Sequence, residues 1–143
     1  DGASATLVCE EEYAKANKLP IIARIKSTAI QGCPPELMGL GPINASKKAL
    51  KRANLDIKDI DIVELNEAFA SQSIACIKEL KINPEIVNIE GGAIALGHPL
   101  GATGTRITAK AASLMIKHNK KYALATQCIG LGQGIATVLE RVE

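Results

Sequence analysis

No tryptophan occurs in the 143 residues, and the other large aromatics number three: Tyr13, Phe69 and Tyr122. The core must therefore be aliphatic and alanine-rich, and the stacking platforms that single-stranded nucleic-acid binders use are missing. Excess charge is scarce too. A net charge of +2 is too slight to argue for a polyanionic partner. No apolar run approaches the roughly 20 residues that cross a bilayer, and no basic-then-apolar signal segment opens the chain. Neither nucleic acid nor membrane is expected as a partner. The four cysteines (Cys9, Cys33, Cys76, Cys128) are scattered without the short spacings of a metal site. They read as free thiols in a reducing, cytoplasmic setting, with no metal expected. The chain opens at Asp1 rather than Met, as a processed or excised piece of something longer would.

What is present suits one domain. The length permits a real core, and a chain 47% hydrophobic and 22% charged is ordinary for a globular protein. Ala3 to Cys9 is a small, apolar run that reads as a buried strand. Glu10-Glu11-Glu12 supplies a negative start for a short helix to Asn17. After Pro20, the β-branched stretch Ile21 to Thr28 reads as a strand. Gly32 to Gly41, with Pro34 and Pro35, reads as a loop. Pro42 to Ala53 has Ala45, Ala49 and Ala53 at helical spacing, with Lys47, Lys48, Lys51 and Arg52 on a solvated face.

Ile60 to Leu65 alternates as a strand, and Asn66 is placed to cap a helix running to Leu80 with Ala70, Ile74 and Ile77 on its face. A helix from Thr103 to His118 follows, buried along Ile107, Ala111, Leu114 and Met115. Tyr122 to Ile129 and Ile135 to Val142 complete the strands. Alternating strands and helices predict a three-layer α/β/α sandwich with a mixed sheet of about five strands.

Two glycine-framed stretches carry the candidate chemistry. Gly91-Gly92-Ala93 leads to Gly97-His98-Pro99 and on to Gly104; Cys128-Ile129 precedes Gly130, Gly132 and Gly134. Neither has dinucleotide or P-loop spacing, and a strand rather than a phosphate-binding helix follows the second. His98 sits in a turn before a helix, placed for proton transfer or simply held by hydrogen bonds. His118, among lysines, reads as a surface residue. Cys9, Cys33 and Cys76 read as small buried hydrophobes. Cys128 differs, because N–H groups in a glycine turn can stabilise a thiolate or an oxyanion. Asn66, His98 and Cys128 also permit a Cys-His-Asn hydrolase of the papain type, although such a nucleophile usually opens a helix.

Taken together these motifs resemble a known family. Asn66-Glu67-Ala68-Phe69, Gly97-His98-Pro99 after Gly91-Gly92-Ala93, and Cys128-Ile129-Gly130 closely resemble the three C-terminal signatures of the thiolases. Pro35-x-x-Met38-Gly39-x-Gly41-Pro42 resembles the family's substrate-pocket loop, and Asp1-Gly2-Ala3-Ser4 the tail of a further motif. The resemblance runs from end to end, and the Cys-Ile-Gly form is more like the acetoacetyl-CoA type than the fatty-acid-degrading one.

The resemblance implies the C-terminal domain of an acyltransferase that condenses two acetyl-CoA molecules reversibly to acetoacetyl-CoA and CoA. It implies an acid/base role for Cys128. His98 would activate the nucleophilic cysteine and bind the thioester oxygen, and Asn66 would anchor a water of the first oxyanion hole. Gly130 would lend its N–H to a second hole, and Met38 and Phe69 would line the acyl pocket. The implied partners are acetyl-CoA or acetoacetyl-CoA as substrate, an N-terminal half of the same enzyme, and further copies in a homodimer or homotetramer. No cofactor beyond the coenzyme A thioester is implied. The family's nucleophilic cysteine and CoA-gripping loop belong to that other half, so this chain alone is expected to be inactive. Leu131 stands where the family has glycine, a restriction on the turn beside the second hole. A non-catalytic assembly domain is the remaining alternative.

Overall fold

Four stretches pair edge to edge: β1 (Arg24–Gly32), β2 (Ile62–Leu65), β3 (Tyr122–Ile129) and β4 (Gln133–Glu140). Their order in space is β1-β4-β3-β2. β4 runs antiparallel to both its neighbours, and β2 runs parallel to β3. Among the described residues the α-helices are α1 (Glu11–Ala16), α2 (Gly41–Ala53), α3 (Ala70–Leu80), α4 (Ala93–Leu96) and α5 (Leu100–Lys117). This computed structural model describes residues 1–142.

The period-2 alternation of the strands divides the core in two. Val63, Leu65, Leu124, Ala136 and Val138 face α2 and α3, packing against Ala45, Ala49, Leu50, Cys76 and Leu80. Ile62, Ala123, Ala125 and Leu139 face the other way, onto Ile107, Ala111, Leu114 and Met115 of α5. The three-layer α/β/α sandwich is therefore borne out. Each fully buried Leu, Ile or Val contributes about 1.5–3 kcal/mol. Alanines fill the tightest contacts: Ala45, Ala49 and Ala111 have no exposure at all. At one crossing even alanine is too large. A Cβ on Gly134 would collide with the backbone of Gly41 and Pro42, where α2 starts over β4.

Several sequence expectations need correction. Ala3 to Cys9 joins no strand ladder, so the sheet has four strands rather than about five. The segment lies over the surface with Leu7 and Val8 exposed, fastened where Ser4 donates to the carbonyl of Ala102. Cys9 is consequently exposed rather than buried. The first strand starts at Arg24 and runs on to Gly32, because its register is set by pairing with β4, not by its own apolar run. The loop from Gly32 to Gly41 contains a 3-10 segment, Pro35–Leu40. α3 begins at Ala70 with Phe69 as its cap, not at Asn66. Its buried side is Gln72, Ser73, Cys76 and Leu80, while Ile74 is exposed.

Both rims of the sheet are occupied by side chains. Along β1, Lys48 donates to the carbonyl of Ile30 and Arg52 to that of Thr28. Those two cations are thus tied to the sheet instead of forming a purely solvated face. Along β2, Asn88 donates its N–H to Val63, and its side chain both donates to and accepts from the backbone of Leu65.

Because β2 and β3 are parallel, their C-terminal ends lie together. α5 runs back antiparallel to β3, bringing its own start to the same end of the sheet. The candidate residues follow from this topology.

Candidate active site

Asn66 continues β2 by one residue. Its N–H donates to the carbonyl of Thr126, 3.0 Å away. This parallel-ladder bond is what displaces it from the role of helix cap. Its side chain is almost wholly buried, with Nδ2 3.3 Å from Nε2 of His98. Cys128 stands two residues beyond Thr126 on β3, on the same face of that strand. The 3-10 segment carrying Met38 lies against β3, β4 and α3, and Phe69 lies exposed at the start of α3. Asn66, His98, Cys128, Gly130, Met38 and Phe69 therefore belong to one end of the molecule.

The His98 loop is braced from beneath. Oε2 of Glu67 accepts the N–H of Ile94, and Oε1 accepts from Nδ2 of Asn88. Gly92 permits this, since a Cβ there would lie 2.5 Å from the Glu67 carboxyl carbon. On the far side of the ring, Nδ1 of His98 lies 2.7 Å from the hydroxyl of fully buried Thr103. A cavity of about 530 Å³ opens beside this loop, lined by Asp1, Gly2 and the stretch from Leu96 to Gly101.

A sequence model of the thiolase C-terminal domain matches residues 19–141. The chain belongs to the thiolase family. Among its relatives, a 3-ketoacyl-CoA thiolase of Vibrio cholerae serotype O1 is 58% identical over 99% of this chain and 37% of that protein. One of Vibrio parahaemolyticus is 59% identical over the same shares. The chain thus spans little more than a third of their length. Human mitochondrial 3-ketoacyl-CoA thiolase superposes with a TM-score of 0.90 at 45% identity, over 92% of this chain and 33% of that one. A structure of the same human enzyme in complex with CoA gives 0.91 at 44%, over 93% and 34%. All of these carry the name 3-ketoacyl-CoA thiolase, not the acetoacetyl-CoA type that the Cys-Ile-Gly form suggested.

Electrostatics at this thiolase end differ from expectation in one respect. Burial pushes the Cys128 thiol up, outweighing the lowering effect of its backbone hydrogen bond, and nearby Cys33 adds to the rise. Within this chain the balance favours the thiol form of Cys128. That turn is open around Gly130, where an added Cβ would meet nothing. Leu131 adopts a left-handed φ of 69° and is 90% exposed, so it follows the glycine-like path with its side chain turned outward. Cys128 is the last residue but one of β3, and a turn follows from Gly130. This differs from the helix start expected of a papain-type nucleophile.

Behind Asn66, the Glu64 carboxyl is pushed up to about 7. Burial is the main cause; Lys110 and Arg106 oppose it, and Glu67 and Glu90 add to it. Among the described residues, no group of three or more His, Cys, Asp or Glu is arranged to hold a metal ion. No described helix is long and apolar enough to cross a membrane.

Three contacts were not foreseen from the sequence: Thr103 on His98, and Glu67 and Asn88 beneath the loop. Thr103 had a usable signal, since it lies in the first turn of the helix that His98 precedes. Asn88 had none, because its left-handed φ of 47° and its grip on Leu65 depend on long-range packing.

Proposed function

We propose that this chain is the C-terminal domain of a thiolase, supplying half of a composite active site that transfers acyl groups between 3-ketoacyl-CoA and CoA. Condensation of two acetyl-CoA to acetoacetyl-CoA, and its thiolytic reverse, is the shortest case of that chemistry. The observation that carries the reading is the Asn66–His98 contact, formed at the end of the sheet where β3 also carries Cys128.

In condensation, an acyl group first passes to a nucleophilic cysteine outside this chain, and CoA leaves as its thiol. His98 activates that cysteine. Cys128 as thiolate then removes a proton from the α-carbon of acetyl-CoA. The resulting enolate attacks the acyl-enzyme carbonyl, and the tetrahedral adduct collapses with release of the enzyme thiolate. A weakly acidic α-proton yields to such a base only where donors share the enolate charge. A water on Asn66 and His98 itself serve that oxygen, while the N–H of Gly130 serves the acyl carbonyl. Oδ1 of Asn66 is buried and meets no donor among the described residues, which suits it to hold that water. The raised Cys128 thiol suits the reverse direction, in which it returns the proton to the departing carbon. Met38 and Phe69 line the approach of the acyl group and pantetheine.

The missing nucleophile and CoA-gripping loop belong to an N-terminal half, and copies of the complete enzyme associate as homodimers or homotetramers. A cytoplasmic setting rests on the four free cysteines. The test uses the complete polypeptide. Cys128→Ser leaves acylation of the nucleophile detectable by mass spectrometry while condensation falls by about 10²–10⁴-fold. Near-normal condensation in that variant rules out the acid/base role. The 143-residue chain alone shows no thiolysis of acetoacetyl-CoA; turnover by it would overturn the composite site. If activity is not restored when an N-terminal half is added, the assembly-domain alternative gains.

A further inference from the structure

We infer that Thr103 is a positioning residue that holds the His98 ring in the Nδ1–H tautomer, presenting the Nε2 lone pair toward Asn66 and the open end of the site. The inference follows from counting donors along a chain of four groups. Nδ2 of Asn66 faces Nε2 of His98 at 3.3 Å. An amide NH₂ can only donate, so Nε2 must carry the lone pair and the ring proton must sit on Nδ1. That nitrogen lies 2.7 Å from Oγ1 of Thr103, which accepts it. The hydroxyl's own proton goes to the carbonyl of Pro99, 3.1 Å away. Each proton is used once and no donor meets a donor.

The opposite arrangement, with Thr103 donating to Nδ1, puts a proton on Nε2 and aims it at the Asn66 NH₂ unless that amide is reversed. Thr103 is well held for its task. It has no exposure, and its N–H donates to Pro99 as the first turn of α5 forms. The acceptor carbonyl of Pro99 is held in place as well, since the N–H groups of Ala102 and Thr103 both donate to it. A histidine in a glycine-framed turn would otherwise be free to exchange tautomers. Only the tautomer with a lone pair toward the site can take a proton from a group arriving there.

The tautomer stands on geometry alone; its use in acyl transfer rests on the proposed function. Long-range ¹H–¹⁵N spectra of the ¹⁵N-labelled chain test it directly, and with only His98 and His118 present the ring signals are readily assigned. The wild type is expected to show His98 with a protonated, pyrrole-type Nδ1 and an unprotonated, pyridine-type Nε2. Thr103→Ser keeps this pattern. Thr103→Val, which removes only the hydroxyl, adds a second set of ring signals from the Nε2–H form. Protonated Nε2 in the wild type, as the reversed Asn66 amide would give, overturns the inference, and so does an unchanged spectrum in the valine variant. Should Thr103→Val fail to fold, the wild-type and Thr103→Ser spectra carry the test, since Nε2–H in either contradicts it.

In the complete polypeptide, Thr103→Val lowers kcat by ~10²-fold with little change in KM, and Thr103→Ser restores it. A correct tautomer in an enzyme without thiolase activity would sink the proposed function and leave this inference standing. The wrong tautomer in an active enzyme does the reverse.

Discussion

The carboxylate of Glu67 accepts the backbone N–H of Ile94 across 2.9 Å, and the absence of a side chain at Gly92 is what leaves room for it. One motif's acidic residue thereby fixes the start of the loop that bears the next motif's histidine. Gly92→Ala drives a methyl into the Glu67 carboxylate and destabilises the chain by about 1–3 kcal/mol. Glu67→Ala costs about 0.5–1.5 kcal/mol, because the exposed N–H of Ile94 can turn to water while one hydrogen of Asn88 loses its acceptor. The two act on one contact, so the double variant loses clearly less than the sum. Urea midpoints of the four species measure this, and strict additivity would show that the two residues do not communicate.

Glu64 sets a pH dependence of definite sign. Its carboxyl titrates at about 7 when folded against an ordinary 4.5. Between those values the folded chain holds a proton that the unfolded chain releases. Stability therefore falls as pH rises through that window, by on the order of 2–3 kcal/mol. Glu11 is held below the usual carboxylate range by Lys15 and Arg24, and Glu90 by Lys110 and Lys117, so their influence lies at lower pH. Glu64→Gln flattens the fall. Denaturation of both proteins at the two ends of the window decides it, and an equally steep fall in the variant rejects the assignment.

The cysteines differ in access and in thiol character. Cys9 is exposed, Cys76 is fully buried with its thiol pushed up by burial, and Cys128 is partly buried with the same push. A short pulse of iodoacetamide at neutral pH marks Cys9 first and Cys76 last, as peptide mass mapping reads. Labelling of Cys128 ahead of Cys9 would restore the stabilised thiolate that the glycine turn suggested.

Two positions around the β3–β4 turn respond in opposite directions. Leu131→Gly relieves a left-handed leucine, and the gain is partly offset by the freer unfolded chain. Stability is unchanged or rises by up to about 1 kcal/mol. Gly134→Ala loses about 3 kcal/mol or more, because α2 has nowhere to move. Thermal midpoints check both. A clear loss in the first would mean that Leu131 is packed against something.

Much of this was legible in the chain itself. The apolar run from Ile60 to Leu65 and the stripe of Ile107, Ala111, Leu114 and Met115 mark buried elements, and from them the layers follow. The family resemblance could name candidate residues because its motifs are local, and the fold brings those residues to one end of the sheet. What failed was decided at long range. Ala3 to Cys9 is as apolar as a strand but has no partner, and Asn66 has a cap's chemistry but a ladder bond to Thr126 available. Ile74 lost the buried face of α3 to Gln72 and Ser73, which lie beneath the Met38–Gly39 loop, where a Cβ on Gly39 would touch Gln72. The three residues of Cys-Ile-Gly suggested a substrate class, whereas relatives matched over the whole chain bear a broader name. Chain-length preference depends on the volume of a pocket that several segments build.

The hydrogen bonds that Lys48, Arg52 and Asn88 make to β1 and β2 have a consequence for assembly. A strand rim with free carbonyls invites a neighbouring molecule to add a strand of its own, the usual first step toward aggregates. Here both rims are already occupied from within, by two cations on one side and an amide on the other. Continuous sheets between molecules are thereby disfavoured, and association is left to the faces of the sandwich.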